Sequence, residues 1–143
     1  MDRSTFDVAE KDVRVPHRVA RRKQTALDVG TALVLTILAW PFPLARANLV
    51  PIVHVVSILA LWQVVQAGYF AVCAAFWRKT GGMHLFGMVL GTLAGAPLSR
   101  GSAVSWGLLA GILGIPRLIS GGPAAGAPDL AEKLSGARVI VAD

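Results

Sequence analysis

The sequence predicts an all-α integral membrane protein, and three observations lead to that fold class. Hydrophobic residues make up 55% of the 143 residues and charged residues only 15%, which is too apolar for a solvated single domain. The apolar residues are clustered, since the stretch 47–77 contains no Asp, Glu, Lys or Arg. Seven of the fourteen lysines and arginines precede residue 24, directly before the first apolar run, as is typical of a membrane protein with a cytoplasmic N-terminus.

Two transmembrane helices are predicted, over about 24–42 and about 52–77. Each offers roughly the 20 residues that a helix needs to cross a bilayer. Pro41-Phe42-Pro43 ends the first helix, because proline cannot continue a helix interior. Trp77-Arg78-Lys79 follows the second as an aromatic and basic stop at the membrane interface.

A cleaved signal peptide is the alternative for the first apolar run, because Ala45-Arg46-Ala47 has the small-x-small form of a cleavage site. The preceding segment is long and acidic for a signal peptide, and Asp28 interrupts the apolar run, so we favour an uncleaved span. The chain then divides into a basic cytoplasmic tail (1–25), a membrane domain (26–120) and a Gly/Pro linker with a short C-terminal tail (121–143).

Two further apolar segments, at about 82–98 and 102–119, either span the membrane or re-enter it. Both carry glycines at intervals of four, which on a helix form a smooth face for close contact with another helix. These predicted helix-packing glycines are Gly87, Gly91, Gly95, Gly107 and Gly111. A model with three crossings exports most C-terminal cations and fits the positive-inside rule worst.

The distribution of charge predicts the partners and the location of the protein. The basic cluster ending at Lys23 has no interleaved aromatic residues to stack on bases, which favours anionic lipid headgroups over nucleic acid. Ten arginines against four lysines, with many Ala and Gly, suggest a GC-rich bacterial genome. We therefore expect a multi-pass protein of the bacterial plasma membrane, with other membrane protein subunits as partners.

Asp28 is the most informative single residue. A carboxylate within a membrane segment costs about 2.5–3.5 kcal/mol on insertion scales and therefore usually has a partner or a role. We expect it to accept hydrogen bonds from the Tyr69 hydroxyl and from Arg21 or Arg22. The alternative is that Asp28 lies in the hydrated headgroup layer. Gln63 and Gln66, in the middle of the second span, are predicted to make interhelical hydrogen bonds rather than line a polar path.

Three blocks of the chain, in order, resemble the RDD family of small bacterial membrane proteins. Arg21 and Asp28 have the spacing of the first block, seven residues apart on one helix face. Gly82-Met83-His84-Leu85-Phe86-Gly87-Met88-Val89-Leu90 is similar to the second block, Gly-Lys-Arg-Leu-Leu-Gly-Leu-Arg-Val-Val. Glu132-Lys133-Leu134-Ser135-Gly136-Ala137-Arg138-Val139 resembles the third, with Glu132 in place of an aspartate.

The resemblance implies an architecture in which the second and third blocks pair as a short β-hairpin at the cytoplasmic surface, Gly87–Leu90 against Arg138–Val141. Segment 102–119 then enters the membrane and returns, breaking at Pro116. A model with four crossings keeps the C-terminus inside but exports Arg100. Met83, His84 and Val89 replace three basic residues of the family pattern. A role in transport has been suggested for the family.

The sequence offers no motif of catalysis or cofactor binding. It contains no nucleophile elbow, P-loop, dinucleotide fingerprint or HExxH, and we expect no metal, cofactor or enzymatic activity. The prediction is an RDD-like accessory or assembly-type subunit that packs against other membrane proteins. The alternative is an oligomeric transport-type protein that uses Asp28 to move a small solute or ion. The candidate polar site comprises Asp28, Arg21, Tyr69 and Glu132.

Overall fold

The structure is a computed structural model that describes residues 16–39, 51–92, 98–120 and 128–141. The described residues are mostly helical (78%), with a small two-stranded sheet. The elements in chain order are α1 (Arg18–Ala39), α2 (Pro51–Trp77), α3 (Gly81–Leu85), β1 (Met88–Gly91), α4 (Arg100–Ile112), α5 (Gly114–Ser120), α6 (Leu130–Ser135) and β2 (Arg138–Val141).

Helix α2 is long and apolar enough to cross a membrane. It has 27 residues, about 40 Å at 1.5 Å per residue. Only 11% of its most apolar stretch is buried inside the molecule. The core helix of a water-soluble protein would bury such a surface, whereas a membrane helix exposes it to lipid. Among the described residues, α2 is the one continuous helix that meets the criteria for a span.

The first of the two predicted spans is not confirmed. Helix α1 begins at Arg18, so it includes the last eight residues of the segment predicted to be tail. Its first turns carry four cations, and Asp28 follows, so no stretch of α1 is both long and uncharged enough to count as a span. Residues 40–42 of the predicted span lie outside the described residues.

Helix α1 nevertheless has polar residues inside and apolar residues outside. Its buried side chains include Gln24, Thr25, Asp28 and Thr36, whereas Ile37 and Leu38 are more than 60% exposed. This is the reverse of the arrangement in a water-soluble helix, and it matches a helix with lipid on its outer face.

Helices α4 and α5 meet at Leu113, where the helix axis turns by 61°. Pro116 lies in the first turn of α5, and it lacks the N–H that would bond to the carbonyl of Ile112 if one helix continued. The break predicted at Pro116 therefore falls three residues earlier. Helix α4 is antiparallel to α2, because Gly107 lies against Ala71 and Gly111 against Ala67.

The prediction that segment 82–98 spans or re-enters the membrane is wrong over its described part. It forms the short helix α3 and strand β1. Gly87 has a positive φ of 62°, which ends the helical turn, and Gly91 lies in β1. Neither is a helix-packing glycine, and Gly95 lies outside the described residues.

Strands β1 and β2 form an antiparallel pair in which Met88 faces Val141 and Gly91 faces Arg138. The pairing expected from the resemblance, 87–90 with 138–141, is within one residue of this register. The sheet is not a local hairpin, since helices α4, α5 and α6 lie between its strands. The outward N–H of Leu90 donates to the Arg78 carbonyl at 2.7 Å, so the middle of the β1 edge is already bonded.

The hydrophobic core lies at one end of the helices, where α2, α4, α6 and the sheet meet. It includes Phe70, Met83, Leu90, Trp106 and Val139. The ten lysines and arginines of the described residues belong to this same end, which we call the charged end. They are Arg18, Arg21, Arg22, Lys23, Arg78, Lys79, Arg100, Arg117, Lys133 and Arg138.

Candidate functional site

Asp28 accepts four hydrogen bonds and has no exposed surface. Its Oδ1 accepts from the Tyr69 hydroxyl at 3.0 Å and from the Gly82 N–H at 2.8 Å. Its Oδ2 accepts from Gln24 Nε2 at 2.6 Å and from Thr80 Oγ1 at 2.5 Å. A carboxylate has about four acceptor positions, and all four are occupied by uncharged donors.

These contacts hold the beginning of α3 against α1 and α2. The first N–H groups of a helix have no partner within the helix. In α3, the Gly81 N–H donates to the Tyr69 hydroxyl at 2.9 Å, the Gly82 N–H to Asp28, and the Met83 N–H to Thr80 Oγ1 at 3.2 Å. Asp28 therefore acts as a capping group supplied by another helix.

Sequence reasoning missed three partners of Asp28, namely Gln24, Thr80 and Gly82, and Gly82 is the most tightly surrounded of them. A Cβ atom on Gly82 would lie 2.6 Å from the Gln24 carbonyl oxygen and 2.9 Å from Asp28 Oδ2. Only glycine leaves room for the α3 backbone to reach the carboxylate. The one signal in the sequence is Thr80-Gly81-Gly82 directly after the basic stop, where the threonine is an N-cap.

The structure brings only some of the predicted site residues together. The predicted hydrogen bond from Tyr69 to Asp28 is present. The predicted contact of Asp28 with Arg21 or Arg22 is absent: the Arg21 guanidinium extends to α6, and Arg22 is exposed. The alternative of a hydrated carboxylate does not fit either, because the Asp28 side chain is fully buried within the protein.

Arg21 and Glu132 belong to a second cluster, which we call the ion-pair cluster. Arg21 Nη2 lies 2.9 Å from Glu132 Oε1 and 3.0 Å from Asp129 Oδ2, and Arg117 Nη2 lies 2.6 Å from Asp129 Oδ1. The two arginine side chains are 13% exposed, and those of Asp129 and Glu132 are 6% and 1% exposed. The cluster joins α1, α5 and α6 and balances two positive charges with two negative ones.

Besides its ion pair with Arg21 of α1, Glu132 accepts hydrogen bonds from β2 and from the N-cap of α6. Its Oε1 accepts from the Val139 N–H of β2 at 2.9 Å, and its Oε2 accepts from the Asp129 N–H at 2.9 Å. The second bond completes a capping box with Asp129 at the start of α6. Sequence reasoning named Glu132 but missed Asp129, although the spacing Asp-x-x-Glu is the signature of such a box.

Gln63 and Gln66 hold the break between α4 and α5. Both side-chain amides donate to the Gly111 carbonyl, at 3.2 Å and 2.5 Å. This carbonyl lies in the last turn of α4, where helical carbonyls lack partners. The two glutamines therefore make the interhelical hydrogen bonds that the sequence predicted. The other predicted packing glycine of α4, Gly107, is also in contact with α2.

Asp28, the ion-pair cluster and the two glutamines all make contacts between helices. Within the described part of the chain, no three His, Cys, Asp or Glu side chains are grouped so as to hold a metal ion. No family model matches this sequence, and neither a curated protein nor a solved structure matches it.

Proposed function

We propose that this chain is a non-enzymatic accessory or assembly-type subunit of a larger complex in the bacterial plasma membrane. The observation that carries the proposal is the saturation of Asp28. A transport site needs acceptor atoms that exchange between ligand and solvent, and the four acceptor positions of Asp28 are all bonded to the protein's own donors. The residue on which the transport alternative depends is thus better suited to holding α1, α2 and α3 together.

The proposed orientation places the charged end in the cytoplasm. All ten lysines and arginines of the described residues lie at this end, against three carboxylates, Asp28, Asp129 and Glu132. Basic residues are retained on the cytoplasmic side of bacterial membranes. Helices α1 and α2 would then cross the membrane from this end.

In the proposed topology, α4 and α5 form a re-entrant segment. Gly114, at the bend, lies against Val29 of α1. The Ser120 carbonyl, at the end of α5, accepts from Arg18 at 3.4 Å. Because Arg18 begins α1 at the charged end, this contact supports a segment that returns to the side from which it entered.

A relationship to the RDD family remains part of the proposal. Its support is the placement of the three residues that carry the resemblance. Arg21 is paired with Glu132, and Asp28 lies two turns further along α1 and binds the segment that begins at Gly82. The three blocks of the resemblance therefore meet in space at the charged end.

The experiment is affinity purification of the tagged full-length chain in mild detergent, followed by native mass spectrometry of the eluate. A stoichiometric heteromeric complex is the expected result, and an unrelated tagged membrane protein of similar size is the control. A homo-oligomer without other subunits, together with ion flux in proteoliposomes, would contradict the accessory role and support the transport alternative.

A further inference from the structure

Helix α6 exposes apolar side chains on the face that points away from the protein. Leu130 and Leu134, one helical turn apart, are 54% and 65% exposed, whereas Ala131, Glu132 and Ser135 on the other side are buried. Lys133 is exposed beside them. The helix thus presents two leucines and a cation outward.

The ion-pair cluster sets the level at which these leucines lie. Asp129 and Glu132, in the first turn of α6, both bind Arg21. Arg21 lies three residues, about 4.5 Å of helical rise, before Gln24, and from Gln24 onward α1 carries no further cation. If α1 crosses the membrane as proposed above, α6 is held at the boundary between headgroups and acyl chains.

Other exposed apolar residues occupy the same level. Val19, in the first turn of α1, is 55% exposed, and Ile119, near the end of α5, is 79% exposed. Ser120, the neighbour of Ile119, contacts Arg18, the neighbour of Val19. Apolar side chains are therefore exposed on α1, α5 and α6 at this end of the molecule.

The charges around α6 suit a lipid surface. The two carboxylates of this region, Asp129 and Glu132, are paired with Arg21 and Arg117. Among the described residues, the remaining charged side chains near the cluster are cations, including Arg22, Lys23 and Lys133. These three cations form no ion pair with a described carboxylate. Cations beside exposed leucines are the pattern of helices that lie in an anionic membrane interface.

From these observations we infer that α6 is an in-plane membrane helix, with Leu130 and Leu134 inserted among the acyl chains and Lys133 at the headgroups. The inference rests on the proposed membrane placement of α1. It assigns the C-terminal segment to the bilayer surface rather than to a cytoplasmic appendage.

The test uses single-cysteine variants of the full chain, labelled with an environment-sensitive fluorophore and reconstituted into phosphatidylcholine/phosphatidylglycerol vesicles. The variants are Leu134→Cys, Lys133→Cys and, as a reference for the membrane interior, Leu38→Cys, each in a Cys73→Ala background. A nitroxide attached to the lipid acyl chain, just below the headgroup region, is the quencher. We expect the label at 134 to be quenched at least about twofold more than the label at 133.

Equal quenching at 133 and 134, with the label at 38 in lipid, would overturn the inference and leave the membrane placement of the chain intact. In that case the exposed leucines would be free to meet a protein partner. A water-exposed label at position 38 would instead contradict the membrane placement itself. Leu38, Lys133 and Leu134 are all exposed, so the cysteine substitutions leave packing within the chain unchanged.

Discussion

At the scale of single residues, Asp28 illustrates how a fold accommodates a fully buried carboxylate without a charged partner. A buried charge without hydrogen-bond partners would be costly. Four short hydrogen bonds from uncharged donors replace the water that the carboxylate would lose, because hydrogen bonds to an ionised acceptor are stronger than those between neutral groups. Asp28 is therefore a structural residue whose value depends on its acceptor atoms.

Replacing Asp28 with Asn tests this role. The amide oxygen of Asn can accept from two donors, but its NH2 group accepts from none, so at least one buried donor of the Gln24, Thr80, Tyr69 and Gly82 set loses its partner. We expect the free energy of unfolding to fall by about 1–3 kcal/mol, measured by denaturation with SDS in mixed micelles. Thr31→Ala is the control, since the exposed Thr31 hydroxyl bonds only to the carbonyl of Leu27 in its own helix. Equal stability of the Asp28 variant and the control would refute the capping role.

Gly82→Ala should weaken the same site from the other side. The added methyl group would overlap with the Gln24 carbonyl, and backbone cannot move away as a flexible side chain can. Overpacking of this kind costs about 1–3 kcal/mol, measurable in the same assay. Gly68→Ala in α2 has nothing within 4 Å of the new methyl group and should be neutral or stabilising. The prediction fails if the two substitutions have the same effect.

At the scale of elements, close packing of α4 on α2 depends on small residues on both helices. Gly107 and Gly111 lie against Ala71 and Ala67, which have the same four-residue spacing. A Cβ on either glycine would come within 2.5 Å of an alanine Cα. This is the small-xxx-small arrangement by which membrane helices approach without a hydrophobic driving force.

Gly107→Ala should therefore separate α4 from α2 and destabilise the protein by about 1–3 kcal/mol. Gly101→Ala, in the same helix, is the matched control, because its methyl group would meet only Ser99 Oγ at 3.9 Å. Thermal unfolding in detergent, followed by intrinsic tryptophan fluorescence, distinguishes the two. A stable Gly107→Ala protein would show that α4 packs elsewhere.

The ion-pair cluster fastens the C-terminal segment to the helices. Glu132→Gln removes the charge that faces Arg21 and leaves one amide oxygen to serve the acceptor roles of two carboxylate oxygens. We expect local destabilisation of about 1–3 kcal/mol, seen as faster amide hydrogen exchange at Val139. Lys133→Gln, on the exposed side of α6, should leave that rate unchanged. If both variants exchange alike, Glu132 does not hold β2.

At the scale of the whole molecule, the ion pairs bring the N-terminal and C-terminal parts of the described chain into contact. Arg21 and Glu132 are 111 residues apart in sequence and 2.9 Å apart in space. If α1 crosses a membrane as proposed, residues so close lie on one side of it. The C-terminal segment then shares the side of the α1 N-terminus, which is the cytoplasm in the proposed orientation.

Cysteine labelling in cells tests this topology. In a Cys73→Ala background, Lys23→Cys and Lys133→Cys should react with a membrane-impermeant maleimide in inverted vesicles and not in intact spheroplasts. Ile52 lies at the opposite end of α2 and is 71% exposed. Ile52→Cys should therefore react in intact spheroplasts and not in inverted vesicles. Labelling of Lys133→Cys from outside would contradict the shared side of the two segments.

The sequence by itself determined where the long apolar helix lies and where the cations are concentrated. The uncharged stretch that became α2 and the clustering of cations follow from composition and order along the chain, and such local properties are readable without a fold. The Tyr69–Asp28 bond was also predictable, because helical rise and antiparallel packing set the depth of each side chain. For the two glutamines, the sequence predicted interhelical hydrogen bonds but not the helix that accepts them.

Only the tertiary structure decided how the chain's polar groups are partnered. Arg21 turned from Asp28 to Asp129 and Glu132, and glycines at intervals of four proved to be helical at 107 and 111 but not at 87 and 91. The spacing of the glycines alone does not determine whether a segment forms a helix or a strand. Those outcomes depend on donors and acceptors that are far apart in sequence. Asp28 and Gly82 are 54 residues apart, and Arg21 and Glu132 are 111 residues apart. Contacts of that kind exist only once the helices have packed.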